Sequence, residues 1–276
     1  MSLARLLPRR WRRPEVHLYS ILWNEARMLE FFFRHYDPWV SRYIFFDDGS
    51  DDGTREIIDA HPRAEWRPFP RAVAGSFVQS SQRVHDEAWK ESRGRADWVV
   101  ITAVDEHLHH PRLRQYLQRC AAAGVTAVPA IGYQMVSEAF PPRGACLARD
   151  VTMGAPWHEM NKLSLFRPDA IRETGFVPGR HAAMPVGEVV YPERDELVLL
   201  HYKYLGRAYA RERHAFLAQG LGAVDRANGW GAQYLQPPEM QDAAFATFQA
   251  RAMDTGAAGF DPRATHDGAL WWRAEA

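Results

Sequence analysis

Apolar positions first cluster at residues 16–22, a run of alternating and continuous hydrophobics that predicts a buried strand. The period then changes. Met28, Leu29, Phe32, Phe33 and Tyr36 recur at helical spacing and predict a helix over 25–36, capped by Asn24 and stopped at Asp37-Pro38. Tyr43 to Phe46 form a second short strand that runs directly into Asp47-Asp48-Gly49-Ser50-Asp51-Asp52-Gly53-Thr54. A helix over 54–60, a weak strand over 65–69, and a longer helix over 76–92 carrying Phe77, Val84, Ala88 and Trp89 follow. A fourth strand over 98–104 ends at Asp105-Glu106, and a helix over 111–123 opens with Pro111 in its first turn.

Strand and helix thus alternate four times between 16 and 123. That pattern predicts an α/β fold with a Rossmann-type, mostly parallel central sheet and helices on both faces. Ligands bind such sheets beyond the carboxyl ends of the strands, where both acidic clusters fall. The second half is less regular. Strands are expected over 125–131, 133–138, 162–166 and 197–204, and helices over 169–174, 207–217 and 238–253. Loops are expected over 140–159 and 175–187. The organisation expected is a basic tail over 1–14, one domain over 15–222 with halves at about 15–123 and 124–222, and a helical extension over 223–276.

Charge narrows the function classes. The 276 residues hold 34 basic and 34 acidic side chains, and this balance disfavours a general nucleic-acid binder. No apolar run approaches the roughly 20 residues that span a bilayer, and no secretory leader is visible. The two cysteines, Cys120 and Cys146, make neither a disulfide framework nor a four-ligand zinc site. A cytoplasmic protein is expected. The first 14 residues carry five Arg interleaved with Leu3, Leu6, Leu7 and Trp11. They read either as a peripheral contact with an anionic membrane or as a solvated tail. Lysine is confined to Lys90, Lys162 and Lys203, against 31 arginines, which draws attention to where those three fall.

Four constellations carry candidate chemistry. Asp47, Asp48, Asp51 and Asp52 crowd a strand end, where carboxylates accept hydrogen bonds from a ribose or a base; the competing reading is a surface turn. Asp105-Glu106 at the next strand end suits a divalent metal beside phosphates, or a helix-start acid. His107, His109 and His110 tempt a zinc reading, but no converging partner ligands are apparent. His201-Tyr202-Lys203 closes the strand over 197–204, where a His serves as metal ligand, phosphate donor or satisfied core residue. Lys162 stands where a loop enters a strand. It also occupies the place where His158-Glu159 would need a second His to make a zincin, so that class is rejected. There is no P-loop, no complete dinucleotide fingerprint around Gly220-Leu221-Gly222, and no nucleophile elbow.

Trp23-Asn24-Glu25 after the first strand and the Asp47–Thr54 block after the second resemble family-2-like glycosyltransferases of GT-A fold. Asp105-Glu106 resembles the D-x-D-E segment of that group. Residues 161–168, the His181 loop and residues 199–206 are similar to later blocks of a branch found among bacterial polysaccharide enzymes. The resemblance covers about residues 15–215. It implies transfer of a sugar from a nucleotide-sugar donor to a hydroxyl of a carbohydrate or glycolipid acceptor, with inversion and with Mn²⁺ or Mg²⁺ as cofactor. Carried over, Trp23, Asn24, Glu25, Asp47, Asp48 and Asp52 would line the nucleotide. Asp105 and His201 would hold the metal. Lys162, His181 and Lys203 would face the substrates. The general base would come from Glu106, Glu159 or Asp195. One departure stands out: Ala103 occupies the place of the first D-x-D acid. The rival readings are a non-catalytic sugar- or nucleotide-binding protein, motivated by Ala103, and a nucleotidyltransferase. The latter is disfavoured because residues 23–27 lack a Gly-rich basic loop.

Overall fold

The structure, a computed structural model, describes residues 13–266 and 270–273. Most of the basic tail expected over 1–14 therefore lies outside the described residues. The first half forms as its pattern predicts. Strands β1 (Val16–Leu22), β2 (Arg42–Asp47), β3 (Ala64–Pro68) and β4 (Trp98–Ile101) lie parallel in the order β3-β2-β1-β4. They are joined through α1 (Ala26–Tyr36), α2 (Thr54–Asp59) and α3 (Phe77–Glu87). Alternate residues of each strand enter opposite layers. Tyr43, Phe45, Trp98 and Val100 join the larger core with α1, while Ile44, Phe46, Val99 and Ile101 join the smaller one with Trp89.

The sheet then turns antiparallel. β8 (Lys162–Phe166) pairs with β4 on one side and with β6 (Ala127–Ser137) on the other. The far half of β6 pairs in parallel with β11 (Val198–Leu205) and antiparallel with β7 (Met153–Pro156). The whole is a central α/β sheet flanked by helices, mostly parallel in its first half and consistent with a GT-A-like, Rossmann-type fold. Its remaining elements are β5 (Glu106–His109), α4 (Leu113–Ala122), α5 (Leu147–Asp150), β9 (Ile171–Glu173), β10 (Val186–Gly187), α6 (Arg207–Gly220), α7 (Ala223–Ala227), α8 (Pro238–Arg251) and β12 (Met253–Asp254). No described helix is long and apolar enough to cross a membrane.

The differences from the sequence pattern have physical causes. The strand expected over 98–104 stops at Ile101, because the chain reverses: the Glu106 N–H donates to the Ala103 carbonyl at 3.1 Å. The chain returns as β5, antiparallel to β11, so two of the three clustered histidines lie on a strand. The strands expected over 125–131 and 133–138 are one, because Gly132 does not interrupt the ladder. It admits the 158–160 turn instead, since a Cβ there would lie 2.2 Å from Met160 Cβ. Residues 171–173, expected to be helical, pair with β10; so short a segment cannot nucleate a helix alone. The loop expected over 140–159 contains α5 and β7. The segment after 222 is more than a helical extension: β12 adds to β7, and Leu270 and Trp272 enter the larger core.

Tyr36 links helix packing to the strand ends. Its ring lies in the core beside Phe32, with centroids 4.6 Å apart. Its hydroxyl donates to the Glu106 carbonyl at 2.8 Å and accepts from the Leu108 N–H at 2.9 Å. The start of β5 is thus pinned by α1. Tyr36→Phe should destabilise the protein by about 1–3 kcal/mol, since two buried backbone groups lose their partner. Denaturant unfolding checks this, and an unchanged midpoint would remove the pin.

Candidate active site

The two amino-terminal motifs meet and lock each other. Asn24 sits in the left-handed region at φ 51°. Its Oδ1 accepts from the Asp51 N–H at 2.8 Å and its Nδ2 donates to Asp51 Oδ1 at 2.7 Å. The Glu25 N–H donates to Thr54 Oγ1 at 2.8 Å. Asp52 serves two helix starts: Oδ2 accepts from the Ala26 N–H, and Oδ1 accepts from the Thr54 N–H and hydroxyl. Asp47 accepts from the Ser50 N–H and hydroxyl at 3.0 and 2.6 Å, and from Trp66 Nε1 at 2.8 Å. Asn24, Asp47 and Asp52 therefore shape the loop, with their polar atoms engaged in it, and none of the three lines the central cleft. Asp48 is gripped by Arg71, whose Nε donates to Oδ1 at 2.8 Å; Arg71 Nη1 also reaches the Gly220 carbonyl at the cleft edge.

That cleft has a volume of about 820 Å³ and opens at the carboxyl ends of β1 and β4. The structure brings Trp23, Glu25, Asp105, Glu106, Glu159, Lys162, His181, His201 and Lys203 to its walls. Asp195 is not among them. It lies in a separate cavity of about 1160 Å³, where it accepts from Trp272 Nε1 at 2.9 Å and pairs with Arg263 and Arg273. The residue fastens the carboxyl-terminal segment and cannot act as a base in the cleft.

Asp105 and His201 form the centre. His201 Nε2 lies 3.2 Å from Asp105 Oδ2. The tautomer follows from Gln134, which is fully buried. Its amide nitrogen donates to the carbonyls of His201 and Met135, so its oxygen faces His201 Nδ1 at 2.7 Å and accepts a hydrogen bond from the Nδ1–H. In the neutral ring Nε2 then carries a lone pair aimed at a carboxylate oxygen. Two such acceptors 3.2 Å apart require a proton or a cation between them. Burial works to raise the Asp105 carboxyl, but His201 outweighs it and holds the group below the usual carboxylate range. Among the described residues no three His, Cys, Asp or Glu converge on one point, consistent with Ala103 standing beside this centre. A metal at Asp105 and His201 would draw its other oxygens from a bound diphosphate.

Glu106, expected as a possible base, is a buried counterion instead. Lys162 Nζ donates to Oε1 at 2.7 Å, Arg180 Nη2 donates to Oε2 at 2.6 Å, and the Ala103 N–H donates to Oε2 at 3.1 Å. Burial pushes this carboxyl up, yet the two cations hold it well below the usual range. Burial also pulls Lys162 down against the pull of Glu106. Arg180 is itself buried, at a left-handed φ of 59°. Glu25 pairs with Arg213; burial pushes its carboxyl up to about 8 against that pull. His181 Nδ1 lies 2.6 Å from the Glu159 carbonyl. The Glu159 carboxylate makes no hydrogen bond or ion pair among the described residues and stands exposed on the cleft wall near His181.

Gln134, Arg180 and Arg213 were missed in the sequence. Gln134 had a signal, as the lone amide in an apolar strand. Arg180 and Arg213 had none, because each finds its carboxylate across the fold.

Over 251 residues the chain is 24% identical to a Ricinus communis protein named as a glycosyltransferase family 92 protein, covering 82% of this chain and 44% of that relative. It is 26% identical over 257 residues to an Oryza sativa subsp. japonica protein named for the same family, covering 83% and 42%. An Arabidopsis thaliana family 92 protein is 24% identical over 256 residues, covering 82% and 43%. The chain spans less than half the length of these curated relatives. No family model matches it. These relatives carry the name of glycosyltransferase family 92, not of the bacterial family-2 branch that the sequence resembles.

Two outcomes test the site's construction. Glu106→Gln should destabilise the protein by about 3–5 kcal/mol, because two buried cations lose their anion. In the native protein the depressed Glu106 value adds stability above the ordinary carboxylate range, which is lost as pH falls through the folded value; urea titrations at several pH values read both effects. Gln134→Leu should leave His201 free to take either tautomer and weaken Mn²⁺ binding in the presence of nucleoside diphosphate by about 10–100-fold. Calorimetry showing equal Mn²⁺ affinity would remove Gln134 from the site.

Proposed function

We propose that this protein is a glycosyltransferase that moves a sugar from a nucleotide-sugar to an acceptor hydroxyl in a single inverting displacement. The observation that carries this reading is the Asp105–His201 pair, with its fixed tautomer, at the floor of a strand-end cleft. The nucleoside is assigned to the apolar end of the cleft, formed by Ile21, Trp23, Phe77 and Leu221, with Asp48 and Arg71 behind Gly220. The acceptor is assigned to the side of Glu159 and His181.

A divalent ion, Mn²⁺ or Mg²⁺, held by Asp105 and His201 with diphosphate oxygens would neutralise the leaving group. Acceptor oxygen attacks the anomeric carbon, the bond from that carbon to the phosphate oxygen breaks, and Glu159 takes the hydroxyl proton. Glu159 suits this step because it lines the cleft and its carboxylate is uncommitted, unlike Glu106. Ala103 favours a second reading, a nucleotide- or sugar-binding protein without turnover.

A screen of nucleotide-sugars, reading nucleotide release with Mn²⁺, Mg²⁺ or EDTA, separates the two. Asp105→Asn should cut turnover by about 100-fold or more, and Glu159→Gln by about 100-fold or more with little change in stability. Nucleotide binding with no release from any donor would favour the binding protein. Turnover indifferent to EDTA and to Asp105→Asn would overturn the metal-assisted mechanism.

A further inference from the structure

Three cationic side chains line the walls of the cleft besides its histidines: Lys162, Arg213 and Lys203. Two are committed, Lys162 to Glu106 and Arg213 to Glu25. Lys203 is different. It is only 6% exposed, and no carboxylate of the described residues lies within ion-pair distance of it. Its Nζ sits 4.2 Å from the centroid of the Tyr234 ring. A ring face is a weak substitute for the water or anion that an ammonium loses on burial. The neighbouring His214 does not add a competing charge, because burial and Lys203 push it down to about 3.

Position adds a second argument. Lys203 lies two residues beyond His201 on β11, and both side chains line the cleft. The Tyr234 ring belongs to the segment 229–235, which contributes Trp230 and Gln233 to the same wall. That segment is tethered through Asp225, which accepts from Ser76 Oγ at 2.5 Å and from the Phe77 N–H at 2.8 Å. The lysine is therefore buried, held against the Tyr234 ring and part of the lining of a cavity that can take an anion.

We propose that Lys203 is a phosphate-binding residue, whose ammonium exchanges the ring face of Tyr234 for a phosphate oxygen of the donor diphosphate. The assignment to the donor rests on the glycosyl-transfer reading; the phosphate chemistry does not. Phosphate oxygens could also come from a phosphorylated acceptor, and the two sources are separable.

The test is calorimetric titration of the full chain with inorganic pyrophosphate in EDTA, where no divalent ion can bridge to Asp105. The wild type should bind. Lys203→Met, which keeps the stem against Tyr234, should weaken binding by about tenfold or more, the usual loss for a hydrogen bond to a charged group. Lys203→Arg should stay within a few-fold, and Asp105→Asn should bind as well or better. Parallel titrations with UDP, GDP and CDP and with glycerol phosphate identify the source. A loss confined to the nucleotides and pyrophosphate supports the donor. A loss as large for glycerol phosphate as for pyrophosphate and the nucleotides overturns the donor assignment. Pyrophosphate that does not bind the wild type in EDTA, or that binds a folded Lys203→Met equally well, overturns the proposal. If Lys203→Met does not fold, Lys203→Gln takes its place, and the wild-type titration stands alone. Failure of the glycosyl-transfer reading would appear elsewhere, as no nucleotide release from any donor.

Discussion

A single carboxylate buried between two cations governs the floor of the cleft. Glu106 joins the reversal after β4, the first residue of β8 through Lys162, and the 178–181 loop through Arg180. Charges taken out of water are expensive, and their mutual attraction repays the cost only when the geometry is complete. Here both carboxylate oxygens are satisfied, and a backbone N–H adds a third donor. The arrangement explains why Arg180 occupies a backbone region that few arginines adopt: its guanidinium must also reach the Ile101 carbonyl, 2.8 Å away. Asp105 immediately precedes this anchored carboxylate and inherits its position from it.

The acid-rich loop divides its labour. Asp47 and Asp52 spend their oxygens on the loop and on two helix starts, while Asp48 is held by Arg71 next to the cleft edge. The motif is therefore scaffold first. Its interlock with Asn24 and Glu25 fixes the mouth of the cleft, so that Trp23 and Glu25 face inward from a rigid turn. The preference for arginine over lysine fits the same logic: Arg71, Arg180 and Arg213 each engage a fixed acceptor, a task that suits a planar fork.

What could be read from the sequence follows the range of the forces involved. The parallel block was legible because β1, β2 and β4 are apolar runs separated by helices with their own apolar faces. The pairing of β5 with β11 and of β12 with β7 was not, because each joins segments far apart in the chain with no local pattern to announce it. That Asp105, Lys162, His201 and Lys203 belong near one site followed from the resemblance of their segments, while the strand ends alone placed only the acidic clusters together. The role of Glu106 was not, since only the fold brings Arg180 to it. Asp195 shows the converse: an acid in a loop looks available until Arg263, Arg273 and Trp272 are seen around it.

The contact between the Gly75 turn and the Gly222 turn has a further consequence. A Cβ on Gly222 would lie 2.0 Å from the Gly75 carbonyl oxygen, and the Val224 N–H donates to that same oxygen at 3.0 Å. Two backbones cross here with nothing between them, so the start of α3 and the segment that carries Tyr234 form one mechanical unit. Residues beyond 222 are then no appendage to a finished fold. A shortened chain ending there would keep every strand-end acid, yet it would lose one wall of the cleft and the Asp225 carboxylate that holds the first turn of α3 together.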